Sequence, residues 1–327
     1  MANKGANFML TIAVDTMGGD LGHSAVVEGA VWAIKEFPDI NLVLIGDEVV
    51  IRSELVKHGN HPNISILHAP DVIEPNEVPT TAIRQKKESS IVVGLKYIKE
   101  GNAQGFVSAG STGALLTGAT LILKRQKGIE RPALATLIPT HLGHSLLIDC
   151  GANVDAKPSY FLQFGQLGAD YMEKCMGVKN PKVALVNIGV EKEKGSIAVK
   201  EAYSLLEGSE LNFIGNIEAR EIPKGEVDVI VCDGFVGNVI LKFMEGFAKT
   251  MMAMLKEELL SGTMSKLGAL MAKGAFANLK KRFDYREVGG APFLGLTSLI
   301  VKAHGSSDAL AIKSAIRQSV IYARTNN

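Results

Sequence analysis

The sequence predicts an α/β fold of three αβα layers built on a largely parallel sheet, and three observations predict it. Short apolar runs alternate with longer amphipathic stretches, a pattern that needs crossover connections and therefore parallel neighbours. The apolar runs are nearly continuous rather than alternating, as in strands covered on both faces. Polar and glycine-rich residues collect where those runs end, which is where open parallel sheets carry their ligands.

In chain order, buried strands are read at 10–15, 41–46, 64–68, 105–108, 133–138, 145–149, 182–187, 211–215 and 227–232. Helical patterns lie between many of them, at 24–37, 47–58, 81–99, 113–124, 159–176 and 196–206. A further short apolar strand follows the glycine-rich run 289–295, and a last helix opens after 302–307. Residues 1–327 read as a single α/β catalytic domain, with two lobes sharing one sheet and meeting near 139–143 as the other division.

With 46% apolar and 21% charged residues, 327 residues support a sizeable core, and the composition argues against disorder. A formal net charge of +1 gives no argument for nucleic acid. Cys150, Cys175 and Cys232 form no disulfide framework and no CxxC, which fits a reducing compartment. Residues 1–7 lack an apolar signal core and no run is long enough to span a bilayer, so a cytoplasmic protein is expected.

Five polar clusters close the strands: 15–20, 108–114, 149–153, 187–191 and 233–238. Any one reads equally as a turn, since glycine supplies positive φ and Asp or Asn caps helices. Five together point to a shared site. The best anion loop is 108–114, where a strand ends and a helix begins: Ser111 and Thr112 offer hydroxyls and Gly113 an amide beside the positive end of the helix. Neither a Walker A loop nor Gly-x-Gly-x-x-Gly occurs.

Lys192 and Lys194 read either as part of a solvated loop or as a mobile loop bringing ammonium groups over a phosphate. Asn187 and Asn238 are phosphate or oxyanion donors in this reading. Asp233 either caps a helix or manages a proton; His304 is the histidine best placed for proton transfer, and Ser307 reads as a cap. His141 and His144 with Asp149 lack a third nearby ligand, so neither metal nor cofactor is expected. Cys150 and Cys232 end strands without a histidine partner and read as inert.

A second segment, 239–283, reads as a protruding helical hairpin turning at Gly262. Residues 259–283 contain no acid but carry Lys266, Lys273, Lys280, Lys281 and Arg282. The apolar face reads as a subunit interface. It reads equally as a tip where Met264, Leu267, Leu270 and Met271 contact anionic lipid or line an acyl groove.

The ordered set of motifs resembles the bacterial phosphate acyltransferase (PlsX) family from about Thr11 to Tyr322. It comprises Ala13-Val14-Asp15-Thr16-Met17-Gly18-Gly19-Asp20, the loop 108–114, and Leu147-Ile148-Asp149-Cys150-Gly151-Ala152-Asn153. It continues with Asn187-Ile188-Gly189, Glu191 and Lys194-Gly195, then Asp233-Gly234-Phe235-Val236-Gly237-Asn238. Gly289-Gly290-Ala291-Pro292-Phe293-Leu294-Gly295 and His304-Gly305-Ser306-Ser307 complete it. Thr16 stands where the family pattern leads one to expect alanine.

The resemblance implies transfer of a fatty acyl group from acyl carrier protein to inorganic phosphate, giving acyl phosphate for phospholipid synthesis. It implies a phosphotransacetylase/isocitrate dehydrogenase-like fold and a homodimer. It further implies peripheral membrane association and delivery of product to a membrane glycerol-3-phosphate acyltransferase. The weighed alternatives are a metal- and NAD-dependent dehydrogenase of the same fold group and a non-catalytic membrane-docked adaptor.

Overall fold

The computed structural model describes residues 9–282 and 284–325. In chain order the elements are β1 (Leu10–Asp15), α1 (Gly22–Glu36), β2 (Ile40–Gly46), α2 (Glu48–Val56), β3 (Ile64–His68), α3 (Pro79–Gln85) and α4 (Ser90–Lys99). Then come β4 (Gly105–Ser108), α5 (Thr112–Ile122), β5 (Ala133–Thr140), β6 (Gly143–Ile148), α6 (Pro158–Met176), β7 (Val183–Asn187), α7 (Ile197–Glu207), β8 (Phe213–Glu218) and β9 (Val229–Val231). The chain closes with α8 (Gly234–Leu260), α9 (Thr263–Met271), α10 (Lys273–Arg282), α11 (Tyr285–Val288), β10 (Ala291–Leu294), β11 (Leu299–Lys302) and α12 (Ala309–Thr325).

Two compact units divide these elements. Unit 1 takes the chain up to Ala135, Glu173–Gly177, and everything from Gly289 on; unit 2 takes Thr136–Met172 and Val178–Val288. In unit 1 the strand order is β3-β2-β1-β4-β11-β10, followed by the first residues of β5. Strands β1, β2, β3, β4 and β11 run parallel, and β10 is antiparallel to both its neighbours. Ile12, Val14, Leu42, Leu44, Val107 and Val301 form the sheet's share of the core, under α1 and α12. Each such aliphatic side chain contributes about 1.5–3 kcal/mol by leaving water. At Gly29 the two covering helices come close enough that a Cβ would lie 2.6 Å from the Ala309 carbonyl oxygen.

In unit 2 the rest of β5 is followed by β6-β9-β7-β8. Strands β6, β9, β7 and β8 are mutually parallel. Phe161 and Phe164 of α6 are buried, and Gly168 lets that helix approach β9, where a Cβ would meet Val229 at 2.6 Å.

Three sequence expectations change. The single helix read at 81–99 is two, because Lys86 leaves helical geometry (φ −90, ψ 68) and Ser89 restarts the helix, its hydroxyl accepting from the Val92 amide at 3.4 Å. The glycine-rich run 289–295, read only as preceding a strand, itself contains β10. The segment read as a two-armed hairpin is one helix of 27 residues, α8, followed by the 9-residue α9 and the 10-residue α10; Phe283 lies outside the described residues. No described helix is long and apolar enough to cross a membrane.

Candidate active site

In unit 1, β1, β4 and β11 are adjacent and parallel, so their carboxyl ends deliver 15–20, 108–114 and 302–307 to one edge. Asp15 is the organiser. Only 1% exposed, its carboxylate accepts from the Ser108 hydroxyl at 2.6 Å and from the Met17 and Gly18 amides at 2.9 and 3.3 Å. The Gly110 amide donates to Ser108 Oγ at 3.0 Å. A Cβ on Gly18 would lie 2.4 Å from Gly110 N, so the two loops meet backbone to backbone.

This packing sets up the first turn of α5. Ser111 is its N-cap, with its hydroxyl accepting from the Ala114 amide at 3.4 Å. The Leu115 amide donates to Ser111 O at 2.9 Å. The amides of Thr112 and Gly113 remain, as first-turn amides of a helix do, without an acceptor among the described residues. They stand at the positive end of the helix beside the Thr112 hydroxyl. Gly113 is required by proximity, since a Cβ there would meet Pro79 at 2.9 Å. Ser108, by contrast, is spent on Asp15.

Lys302 is a residue the sequence reading did not assign. It pairs in register with Ser108, and its ammonium donates to the Ala109 carbonyl at 3.3 Å and to the Ala303 carbonyl, which brings a cation to the anion loop. The visible signal was a lysine ending an apolar strand two residues before His304. His304 is exposed, and its Nδ1 accepts from the Ser306 amide at 3.2 Å and contacts Ser306 Oγ at 2.8 Å. The neutral ring therefore carries its proton on Nε2. The cap of α12 is Asp308, which accepts from the Ala311 amide at 3.0 Å, and not Ser307; the buried Ser307 hydroxyl has no partner.

In unit 2, β6, β9 and β7 are likewise adjacent and parallel, and they place 149–153, 233–238 and 187–195 along one edge. Asp149, fully buried, accepts from the amides of Gly151, Ala152 and Asn153 at 3.2, 3.0 and 2.7 Å and from the Asn153 side chain at 2.8 Å. This loop lies against the first turn of α8, where the Gly234 amide donates to Asn153 O at 2.7 Å. Asp233 caps α8, accepting from the Val236 amide at 2.8 Å. Asn238 is exposed beside Gly151, and its side-chain amide has no partner among the described residues. Burial pushes the Cys150 and Cys232 thiols well above the usual thiol range, as inert cysteines require.

The loop after β7 separates its two lysines. Lys192 is ion-paired to Glu207 and sits 5.2 Å from the centroid of the Tyr203 ring, so it reaches a phosphate only by leaving both. Lys194 is exposed and has no ion-pair partner among the described residues. Asn187 is occupied: its Nδ2 donates to Lys194 O at 3.0 Å and its Oδ1 accepts from the Ile188 amide at 2.8 Å. Of the loop's two lysines, Lys192 is thus held by its ion pair and Lys194 is tied through its backbone carbonyl. Further along the chain, α9 leaves Met264, Leu267, Leu270 and Met271 exposed, Met264 and Met271 by 80% and 84%.

The fold is shared with phosphotransacetylases of known structure and with a Salmonella typhimurium protein assigned as a 4-hydroxythreonine-4-phosphate dehydrogenase. A phosphotransacetylase from Streptococcus pyogenes superposes with a TM-score of 0.67 at 17% identity, covering 96% of this chain and 94% of the other. A branched-chain phosphotransacylase from Enterococcus faecalis V583 does so at 0.61 and 14%, covering 97% and 100%. The chain belongs to the fatty acid synthesis protein family, whose model matches residues 10–327. A phosphate acyltransferase of Clostridium botulinum (strain Loch Maree / Type A3) is 51% identical over 95% of this chain and 93% of its own length. One of Alkaliphilus oremlandii is also 51% identical, over 95% of this chain and 93% of its own. The resemblance read from the ordered motifs is borne out.

Proposed function

We propose that the chain transfers a fatty acyl group from acyl carrier protein to inorganic phosphate. A phosphate oxygen attacks the thioester carbonyl, the C–S bond breaks, acyl phosphate leaves, and the carrier thiolate takes a proton. The observation that carries the reading is the first turn of α5. Two amides without an acceptor among the described residues, a hydroxyl and a helix N-terminus fit a tetrahedral anion, in a chain 51% identical to proteins named phosphate acyltransferase.

Within unit 1, Thr112, Gly113 and Ser111 hold the phosphate, with Lys302 adding charge, and His304 manages the proton that passes from the attacking hydrogen phosphate to the leaving thiolate. Within unit 2, the Asn238 amide and the Lys194 ammonium are donors suited to a developing oxyanion, a role worth about 3–4 kcal/mol per donor. Asp233 acts through its cap, which fixes the turn carrying Asn238. Purified protein given acyl-carrier thioester and phosphate is expected to form acyl phosphate; none formed with a competent carrier sinks the reading. Ser111→Ala with Thr112→Ala is expected to raise the phosphate KM at least tenfold, since each hydrogen bond to a charged group contributes about 1.5–3 kcal/mol.

We also place a homodimer contact on α8, where Phe243 and Phe247 are exposed and stack at 5.8 Å, and a lipid contact on α9. The face of α9 formed by Met264, Leu267 and Leu270 repeats every three residues, with Lys266 and Lys273 beside it. Such a surface contact would let acyl phosphate pass to a membrane glycerol-3-phosphate acyltransferase. Leu267→Glu with Leu270→Glu is expected to reduce sedimentation with anionic vesicles at least tenfold while turnover of the dispersed enzyme persists. Unchanged vesicle binding, or a dimer that dissociates instead, removes the lipid assignment.

A further inference from the structure

From the loop after β7 we infer that Asn216, on β8, is a positioning residue for Lys194, acting together with Asn187. The inference rests on Lys194 being a donor in the reaction proposed above. Asn216 Nδ2 donates to the Glu191 carbonyl at 3.0 Å across 25 residues of sequence. The same carbonyl accepts from the Lys194 amide at 3.2 Å. The Lys194 carbonyl in turn accepts from Asn187 Nδ2 at 3.0 Å. The backbone on either side of Lys194 is therefore tied to a strand, on one side through Glu191 to β8 and on the other directly to the end of β7.

Two glycines make the arrangement possible. Gly195 has φ +93, and a Cβ there would lie 2.6 Å from Asn187 Oδ1. The Lys194 stem lies over Gly189, where a Cβ would meet Lys194 Cγ at 3.3 Å. The side chain is thus guided at its root and its ammonium has no ion-pair partner among the described residues, while Lys192, two residues away, is held by Glu207.

Asn216 is in place for its donor. Its Oδ1 is buried and meets no hydrogen-bond donor. Burying an unmet acceptor is unfavourable, a cost an apolar side chain in β8 would not incur. What the amide supplies in exchange is a fixed Glu191 carbonyl. A reacting group misplaced by an ångström loses on the order of a hundredfold in rate, so a clamp on the lysine's backbone bears on kcat.

The test is Asn216→Asp, equal in size but unable to donate to the Glu191 carbonyl, with Asn216→Ser as a second variant should the first not fold. Expected are a kcat lower by roughly ten- to a hundredfold and KM values for phosphate and acyl carrier within about threefold; Tm falls with Asn216→Asp, whose carboxylate faces the Glu191 carbonyl, and holds with Asn216→Ser. Hydrogen exchange at the Lys194 amide is expected to quicken while the β7 and β8 amides stay protected. In a Lys194→Gln background the same change is expected to cost no further activity, since the lysine it serves is gone. If Lys194→Gln lowers kcat but Asn216→Asp costs the same factor with or without it, or leaves exchange at Lys194 unaltered, the clamp is overturned and the lysine's role stands. If Lys194→Gln itself leaves kcat unchanged, the lysine's role falls and the clamp falls with it.

Discussion

Gly237→Ala is expected to unfold unit 2 or leave it folded only in the cold. Gly237 lies in the first turn of α8, and a Cβ there would lie 1.9 Å from the Asp149 carbonyl oxygen and 2.8 Å from Cys232 Sγ. The obstruction cannot swing aside. It is backbone, in a loop whose carboxylate is held by three amides and a side chain. Ordinary overpacking costs about 1–3 kcal/mol. A clash with a pinned carbonyl belongs beyond that, above about 4 kcal/mol, against a total stability on the order of 5–15 kcal/mol. Thermal unfolding should show Tm lower by more than about 10 °C. Gly246→Ala is the control: it is the same substitution in the same helix, but nothing lies within 4 Å. There the gain in helix propensity, up to about 1 kcal/mol, is expected to appear. Equal Tm values for the two variants would show that α8 does not press on 149–153 as described.

Ser111→Asp is expected to leave the fold intact and remove phosphate use. Ser111 caps α5, and Asp caps as well as Ser while suiting the positive helix end. Stability should hold or rise by a few tenths of a kcal/mol. The new carboxylate, however, stands where the phosphate is placed. Two like charges about 4 Å apart at an effective dielectric near 20 repel by about 4 kcal/mol, close to a thousandfold in affinity. The phosphate KM should rise at least a hundredfold, with the acyl-carrier KM little moved and partial recovery in added salt. A KM within about threefold of the parent would take the anion away from this turn. Alanine cannot make this separation, because it removes the cap and the hydroxyl together.

Most of the architecture could be read from local sequence, because buried parallel strands announce themselves as apolar runs and their ends as glycine with Asp or Asn. Nine strands and the main helices follow from that pattern. Strand β10 was hidden by Gly289, Gly290 and Pro292, which look like a loop and are tolerated because β10 pairs antiparallel with β11 and β5. The break at Lys86 falls in the polar run 84–90, which contains no glycine or proline to mark it. At the site, the residue types were legible and their duties were not. Asp15 takes the Ser108 hydroxyl across 93 residues of sequence, Glu207 takes Lys192 across 15, and Asn216 reaches Glu191 across 25. Such pairings depend on which strands become neighbours, which no window on the chain contains. The Ser307 cap failed for a smaller reason: two capping residues stand side by side, and the helix starts one residue later than Ser307 would set it.

The order of strands in unit 1 also bears on how the chain is made. Its central position between β4 and β10 is filled by β11, residues Leu299–Lys302, and α1 is covered by the final helix, α12. A ribosome has therefore released the chain as far as residue 302 before this sheet can close, whereas unit 2 is almost one continuous stretch and has its last strand, β9, by Val231. Until then the nascent N-terminal third presents β4 as a bare edge, an invitation to mispairing. Closure by so distant a segment is slowed by the long loop it must gather, and it is residues far along the chain that complete the anion-binding unit.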